Sequence, residues 1–583
     1  MRAFLVFSLL LASAAAFAQT LPIGMTPAEK QTMPSYLLQR DVLRGTLPPT
    51  APVRTPAQWE EMQGVVISWK STDYALLTKI IDHAQEVVQV FIFCSDSNDV
   101  KDELSSDGVP LYNLSFIQFS TNSIWARDYA ANSVYENEVH NLSLTDWEYN
   151  RPRPKDDTSA RKLSALLNVP LYETIQSPNR LVNTGGNFMT DGHGTAFASK
   201  LVTDENAFGG GYGNNLTEED VDSVMKRYMG IDRYIKMETL PYDDIHHIDM
   251  HMKLLDEETL LVGEYPAGVS DGPKIEQNLS YVLDNHLSCF GRPYKVIRIP
   301  QPPSPSGNYP GIPFGSGYYR TYTNAVILNS LVLVPYYYEQ YDTVAQRIWK
   351  EAMPGYDVVF LDGNAIIQNG GSIHCITHEI GVSDPIFISH AKLLDTYQTS
   401  GTYEVNAYIN TQSGVNAATM HWSLDTALGY TAVPMTDMGS GDFQAFLPAQ
   451  PVGTEVFYYV EAISNSGRTV RKPFVAPKGV YAFDVLGTPT EVIPTEALQL
   501  FEPYPVPANE AVNVSFRLVS TRDVSLELTD VTGRLLQVLP LEKASSGVHH
   551  YAFNTTGLPV GTYFIRLADV NGEAAVQKFS VVR

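Results

Sequence analysis

Cysteine is scarce in this 583-residue chain: Cys94, Cys289 and Cys375 are the only three. Three thiols cannot form a disulfide framework, and an odd number in an exported protein leaves one free. Positive charge is also sparse, with 40 Lys and Arg against 64 Asp and Glu and a formal net charge of −24. A surface that acidic argues against nucleic acid as a partner and draws cationic substrates mildly. Long apolar runs are missing after the first. Residues 3–17 are apolar, follow Arg2 and lead into Ala16-Phe17-Ala18. This is the pattern of a secretory signal peptide over residues 1–18, with cleavage leaving Gln19 first. The run is too short to anchor in a bilayer, so the expected mature chain is exported and soluble, with no transmembrane segment.

The length implies several domains. Residues 19–50 are Pro- and Thr-rich and only weakly periodic, which suits a surface arm or a propeptide. Residues 51–392 alternate strand-like runs with helical spacing: Val65-Val66-Ile67-Ser68-Trp69 is a buried strand, and Leu76, Leu77, Ile80, Ile81 and Ala84 share one face of a helix. The strand–helix–strand grouping recurs near residues 259–299 and 324–361, predicting an α/β class in a circular, propeller-like arrangement. Helical patterns end near residue 390. Short alternating strands over 393–486 predict an Ig-like β-sandwich. A Thr/Pro/Glu-rich linker, 487–500, leads to an all-β segment over 501–583.

One stretch carries the most chemistry: Gly370-Gly371-Ser372-Ile373-His374-Cys375-Ile376-Thr377-His378-Glu379. The Gly pair permits a sharp turn and a close approach to a ligand. The flanking imidazoles are expected to lower the Cys375 pKa, making it a candidate nucleophile, with a structural thiol as the competing reading. Cys94 and Cys289 lie among apolar residues and read as buried packing thiols. Polar residues in unusual places occur in Ile124-Trp125-Ala126-Arg127-Asp128-Tyr129, in Tyr149-Asn150-Arg151-Pro152-Arg153-Pro154, in His246-His247-Ile248-Asp249-Met250-His251 and in Tyr322-Thr323-Asn324-Ala325. His247 and Asp249, two apart, would share one face of an extended strand and point a base and a carboxylate into one cavity. They also read as candidate metal ligands, but third and fourth ligands at suitable spacing are missing, so neither a metal nor a cofactor is expected.

Trp-x-Arg-Asp, His-x-Asp and the late Gly-Gly-x-x-His-Cys, in that order, resemble the guanidino-group-modifying superfamily of agmatine, arginine and peptidylarginine deiminases. Within it, Tyr-Asn-Arg-Pro-Arg-Pro at 149–154 and the stretch from Thr184 to Asp191 and Gly192 are similar to the secreted, Porphyromonas-type peptidylarginine deiminases. Residues 501–583, with Asp530-Val531-Thr532-Gly533-Arg534 and Gly561-Thr562-Tyr563, resemble the C-terminal sorting domain of Bacteroidetes type IX secretion cargo.

The resemblance implies a five-bladed α/β propeller with a central site, calcium-independent deimination, and passage through the type IX secretion machinery to the medium or the outer-membrane surface. It implies Cys375 as nucleophile, His247 as acid and base, Asp128 and Asp249 as clamps on the guanidinium, and Asn324 as an orienting group. Trp125 would wall the guanidinium plane and Asp191 would join substrate binding. Two cations beside a site for a cation make sense if the substrate also bears an anion, so Arg151 and Arg153 are expected to meet the α-carboxylate of a C-terminal peptidyl arginine. Agmatine or free arginine is the alternative substrate, and a noncatalytic surface-binding protein is the alternative class.

Overall fold

The computed structural model describes residues 20–40, 45–71, 74–311, 318–487 and most of 498–582. The expected signal peptide and most of the expected linker lie outside the described residues.

Between residues 53 and 381 the chain repeats one unit: an antiparallel hairpin, a helix, and a third strand parallel to the second. In the first unit Asn132–Glu136 pairs with Leu142–Trp147, helix Ser159–Leu167 crosses over, and Leu171–Thr174 adds in parallel. The second is Met189–Thr190, Thr195–Ser199 and Arg233–Met237, with helices Leu201–Asn206 and Glu218–Met229 between the last two strands. The third is Met252–Asp256, Thr259–Glu264, helix Gly272–Asn285 and Lys295–Pro300. The fourth is Val326–Leu328, Leu331–Tyr336, helix Glu339–Ala352 and Asp357–Asp362. A fifth sheet draws on both ends of the region: late strand His378–Gly381 runs antiparallel to early strand Met62–Ser68, which continues in parallel through Gln89–Cys94 to Leu114–Gln118. The inner strands are covered on both faces, which is why Val65-Val66-Ile67 and Leu331-Val332-Leu333-Val334 read as unbroken apolar runs.

The arm is more ordered than its composition predicts. Helix Pro27–Arg40 forms despite Pro34. Its first turn is closed by Thr26 and Glu29: Thr26 N donates to Glu29 Oε2 at 2.8 Å, and Glu29 N donates to Thr26 Oγ1 at 3.2 Å.

Residues 386–484 form two antiparallel sheets around one apolar core that includes Val405, Ile409, Met420, Leu447, Tyr458 and Val460. They are tied to the α/β region by Arg468 with Glu61 and by Lys472 with Glu257. Residues 487–583 form a separate unit. It is all-β, with Val512, Phe516, Leu526, Leu528 and Ile565 in its core. Among the described residues no helix is long and apolar enough to cross a membrane.

Candidate active site

Each of the five sheets receives a short polar segment immediately before its first strand, and these segments converge. One-turn helix Ala126–Tyr129 carries Asp128 ahead of Asn132–Glu136. The turn Gly185–Asn187 precedes Met189–Thr190. His247 and the turn Ile248–Met250 precede Met252–Asp256. Asn324 precedes Val326–Leu328, and the turn His374–Ile376 precedes His378–Gly381.

The sequence expectation of His247 and Asp249 on one strand face is corrected here. His246 sits at φ 56°, His247 is extended, and Asp249 lies in a tight helical turn whose Ile248 and Met250 are buried. The two side chains still enter one cluster, but the turn rather than a strand face brings them there.

Asn324 Nδ2 lies 3.2 Å from Cys375 Sγ, and Asn324 Oδ1 accepts from His374 N at 3.0 Å. Cys375 Sγ is 3.8 Å from Asp249 Oδ2, which is bonded to His374 Nδ1 at 2.7 Å. His247 Nδ1 is 3.6 Å from Asp128 Oδ1, while His247 Nε2 bonds Thr184 Oγ1 at 3.0 Å. Asp128 Oδ2, Asp249 Oδ1 and His247 Nδ1 are buried without a hydrogen-bond partner. A buried polar atom left unpaired is costly, so such atoms grouped at one centre mark a place where a ligand completes the bonding.

Two glycines are required by close approach. A Cβ on Gly186 would stand 2.4 Å from His247 Nδ1 and 3.1 Å from Asp128 Oδ1. A Cβ on Gly371 would stand 2.7 Å from the Trp125 ring and 3.0 Å from Cys375 Sγ. Thr184 and Gly186 were not singled out as site residues by sequence reasoning. The Thr-Gly-Gly-Asn stretch was the available signal, but its contact with His247 joins segments of different sheets.

The electrostatics also correct the expectation for the thiol. Burial, then Asp249 and Asp128, hold the Cys375 pKa well above its ordinary value. His374 does not lower it, because burial keeps that imidazole neutral and its bond goes to Asp249. Burial raises Asp128 to about 7 against the pull of Arg151, Arg153 and Arg127. Burial, reinforced by Asp128, raises Asp249 well above the carboxylate range. Burial, then Arg151, holds His247 well below its usual value. Cys94 is buried, whereas Cys289 is only half-buried, and all three thiols are free.

Behind the cluster runs a second polar network. Arg127 forms a two-pronged pair with Glu379 at 3.1 and 2.5 Å, and Lys253 donates to Gln58 at 2.6 Å. Gln58 reaches both Glu379 and His374. Burial brings Lys253 down to about 7. Among the described residues no group of three or more His, Cys, Asp or Glu is gathered to hold a metal.

The remaining sequence candidates divide. Trp125 is fully buried, beside Gly371, and its Nε1 donates to Leu21 O at 2.9 Å. Arg151 and Arg153 are also buried, but both are already engaged. Arg151 Nε donates to Ile23 O at 3.0 Å. Arg153 Nε pairs with Glu29 Oε1 at 2.7 Å, and Arg153 Nη2 reaches Pro22 O and Gly24 O at 2.7 and 3.1 Å. Asp191 sits in the turn between Met189–Thr190 and Thr195–Ser199, where its Oδ1 accepts from His193 N and Thr195 N and its Oδ2 is buried without a partner. Its bonds shape that hairpin and involve none of the residues around Cys375.

The cluster thus sets a buried thiol against two carboxylates and an imidazole, in a chain whose relatives are hydrolases acting on amidines. Residues 54–380 match the family of Porphyromonas-type peptidyl-arginine deiminases, and residues 502–582 match the secretion system C-terminal sorting domain. The first match spans more than half of the chain: the protein belongs to the Porphyromonas-type peptidyl-arginine deiminase family and carries a type IX sorting domain. A Mycoplasma mycoides protein, provisionally named an agmatine deiminase, is 25% identical over 291 residues, covering 46% of this chain and 77% of the relative. A solved structure with the same provisional name is 19% identical, with a TM-score of 0.50 over 58% of this chain and 100% of its own, so the fold is shared. Enterococcus faecalis agmatine deiminase is 18% identical, with a TM-score of 0.49 over 58% of this chain and 99% of its own.

Proposed function

We propose that the chain hydrolyses the guanidinium of arginine to a ureido group and ammonia through a covalent adduct on Cys375. The unpaired oxygens of Asp128 and Asp249 beside the buried thiol carry this reading. A guanidinium is planar and cationic, with donors in fixed directions, and two carboxylates complete its bonding. Its charge offsets the field that holds the thiol protonated, so substrate entry favours the thiolate, and His247 serves as the acceptor of the released proton. The thiolate then forms an S–C bond to the guanidinium carbon. His247 returns that proton to one nitrogen, the C–N bond breaks, and ammonia leaves an amidino-thioether. Water adds to the same carbon as His247 takes one of its protons; the C–S bond then breaks, the hydroxyl proton is released to solvent as the ureido C=O forms, His247 returns its proton to sulfur, and the product departs. Asn324 Nδ2 holds the sulfur in line, and the reaction as drawn requires neither calcium nor another cofactor.

Peptidyl arginine with a free carboxylate is the substrate we favour. Arg153 already binds one carboxylate, that of Glu29, beside the centre, which supports an anion site at this position. Agmatine or free arginine is the second reading, favoured by the fact that residues 22–29 satisfy both arginines without a substrate. Turnover on agmatine, arginine and matched peptides ending in arginine acid or amide, with Cys375→Ala as control, separates these. A carboxylate preference supports the first reading; equal rates on acid, amide and agmatine would transfer the assignment to the second. Five sheets whose leading segments meet at one centre support a five-bladed propeller over 51–392. The two-sheet region is read as an Ig-like sandwich over 393–486, joined by a linker, 487–500, to the sorting domain. With the leader at 1–18, this order fits delivery by the type IX machinery to the outer-membrane surface or the medium.

A further inference from the structure

Residues 21–29 lie across the groups assigned above to substrate binding. The backbone of residues 21–24 is held residue by residue, and Pro27–Glu29 open the helix that follows. Leu21 O accepts from Trp125 Nε1, Pro22 O and Gly24 O from Arg153 Nη2, and Ile23 O from Arg151 Nε. Ile23 N donates to Asn369 O at 2.8 Å, and the Ile23 side chain, 1% exposed, lies against the Gly370 turn that leads into Gly371 and Cys375. Glu29 then puts a carboxylate on Arg153.

These are contacts an extended peptide makes: carbonyls to fixed donors, an amide to a carbonyl, one apolar side chain in a slot, and a carboxylate on a guanidinium. The helix that follows is held far less. Met33, 6% exposed, is its one buried side chain among those described and packs with half-buried Tyr36 and Leu37 in a small cluster with Val182 and Tyr212, while Leu38 is 75% exposed. A tightly bound stretch on a loosely packed helix is a poor structural brace but a good replaceable occupant.

We propose that the groove between Trp125, the Gly370 turn and Arg151 and Arg153 is a peptide-binding cleft, and that residues 21–29 occupy it in place of substrate. The enzyme turns over slowly until this stretch is displaced or removed. The inference rests on the deiminase reading for what the cleft serves, but not for its occupancy.

The test uses the full chain and two single variants, Ile23→Asp and Glu29→Ala, so that a folding failure in one leaves the other. Two quantities are read: the rate of Cys375 alkylation by iodoacetamide, followed by peptide mass mapping, and kcat/KM on a peptide ending in arginine. Loss of an anchoring contact should raise both by about tenfold or more. A synthetic peptide copying residues 20–30 should inhibit the Glu29→Ala variant in competition with substrate. Faster alkylation without ureido product from any guanidino substrate would uphold the occupied cleft and refute the deiminase reading. Unchanged alkylation in both variants, with the parent chain already turning over peptide, would overturn the occupant and leave residues 21–29 a permanent part of the wall.

Discussion

Burial holds Cys375, Asp128, Asp249 and His247 toward their uncharged forms; under the proposed function a guanidinium would favour ionisation of the thiol and the two carboxyls, while His247 stays neutral until it takes a proton. Asp128 gives a pH prediction. Its carboxyl, raised to about 7, carries a proton below that pH and cannot pair with a guanidinium. Therefore kcat/KM should fall as pH drops through 7. Asp128→Asn should remove that limb and cost roughly a hundredfold or more. Gly186→Ala should leave folding intact and lower kcat by at least about tenfold, because its methyl group would displace His247, and a small misplacement at a reacting centre is expensive. Circular dichroism beside steady-state kinetics checks both halves of that expectation. The residues of this centre were legible as types: a thiol, an imidazole and acids in polar segments between apolar runs. The direction of the thiol's pKa was not legible, because neighbouring imidazoles in sequence say nothing of burial or of which partner each ring takes. The engagement of Arg151 and Arg153 by residues 22–29 was hidden for the same reason, since it joins stretches more than a hundred positions apart.

Among the elements, apolar runs with helical or strand spacing read well. The apolar face expected from Leu76 to Ala84 lies on helix Ala75–Ala84, and the grouping expected near 324–361 contains helix Glu339–Ala352. Strand Leu142–Trp147 went unread because it is fully buried yet carries Ser143, Thr145 and Asp146, whose polar atoms mask its pattern. The one-turn segments that carry the site have no periodicity to read; their conformation is fixed by the strands they precede. Glu379 at the start of the last inner strand tests how firmly one such segment is anchored. Burial pushes its carboxyl up, but Arg127 outweighs this and lowers it to about 2. A depressed folded pKa adds stability above the ordinary value of 4.5 that is lost as pH falls toward 2. Glu379→Gln should cost roughly 3 kcal/mol, since it leaves Arg127 buried and unpaired, and should flatten the acid limb of stability over that range. Denaturant melts from pH 2 to 7 read both effects; an unaltered acid limb would remove the pair from the account.

For the whole molecule, the sorting domain separates delivery from chemistry. Deletion from residue 501 onward should leave the chain inside the producing cell with its deiminase activity retained, read by fractionation and by ureido assay of each fraction. Normal export of the shortened chain would contradict the sorting role. The central claim is that one thiol, Cys375, carries the reaction. Its most direct test is acid quench of the enzyme during turnover of a peptide ending in arginine, followed by mass mapping of the peptide that contains Cys375. The account predicts an amidino adduct on Cys375 that appears with substrate and decays with turnover, and no ureido product from Cys375→Ala. Steady product formation by Cys375→Ala, or turnover by the parent chain with that thiol never modified, would contradict it.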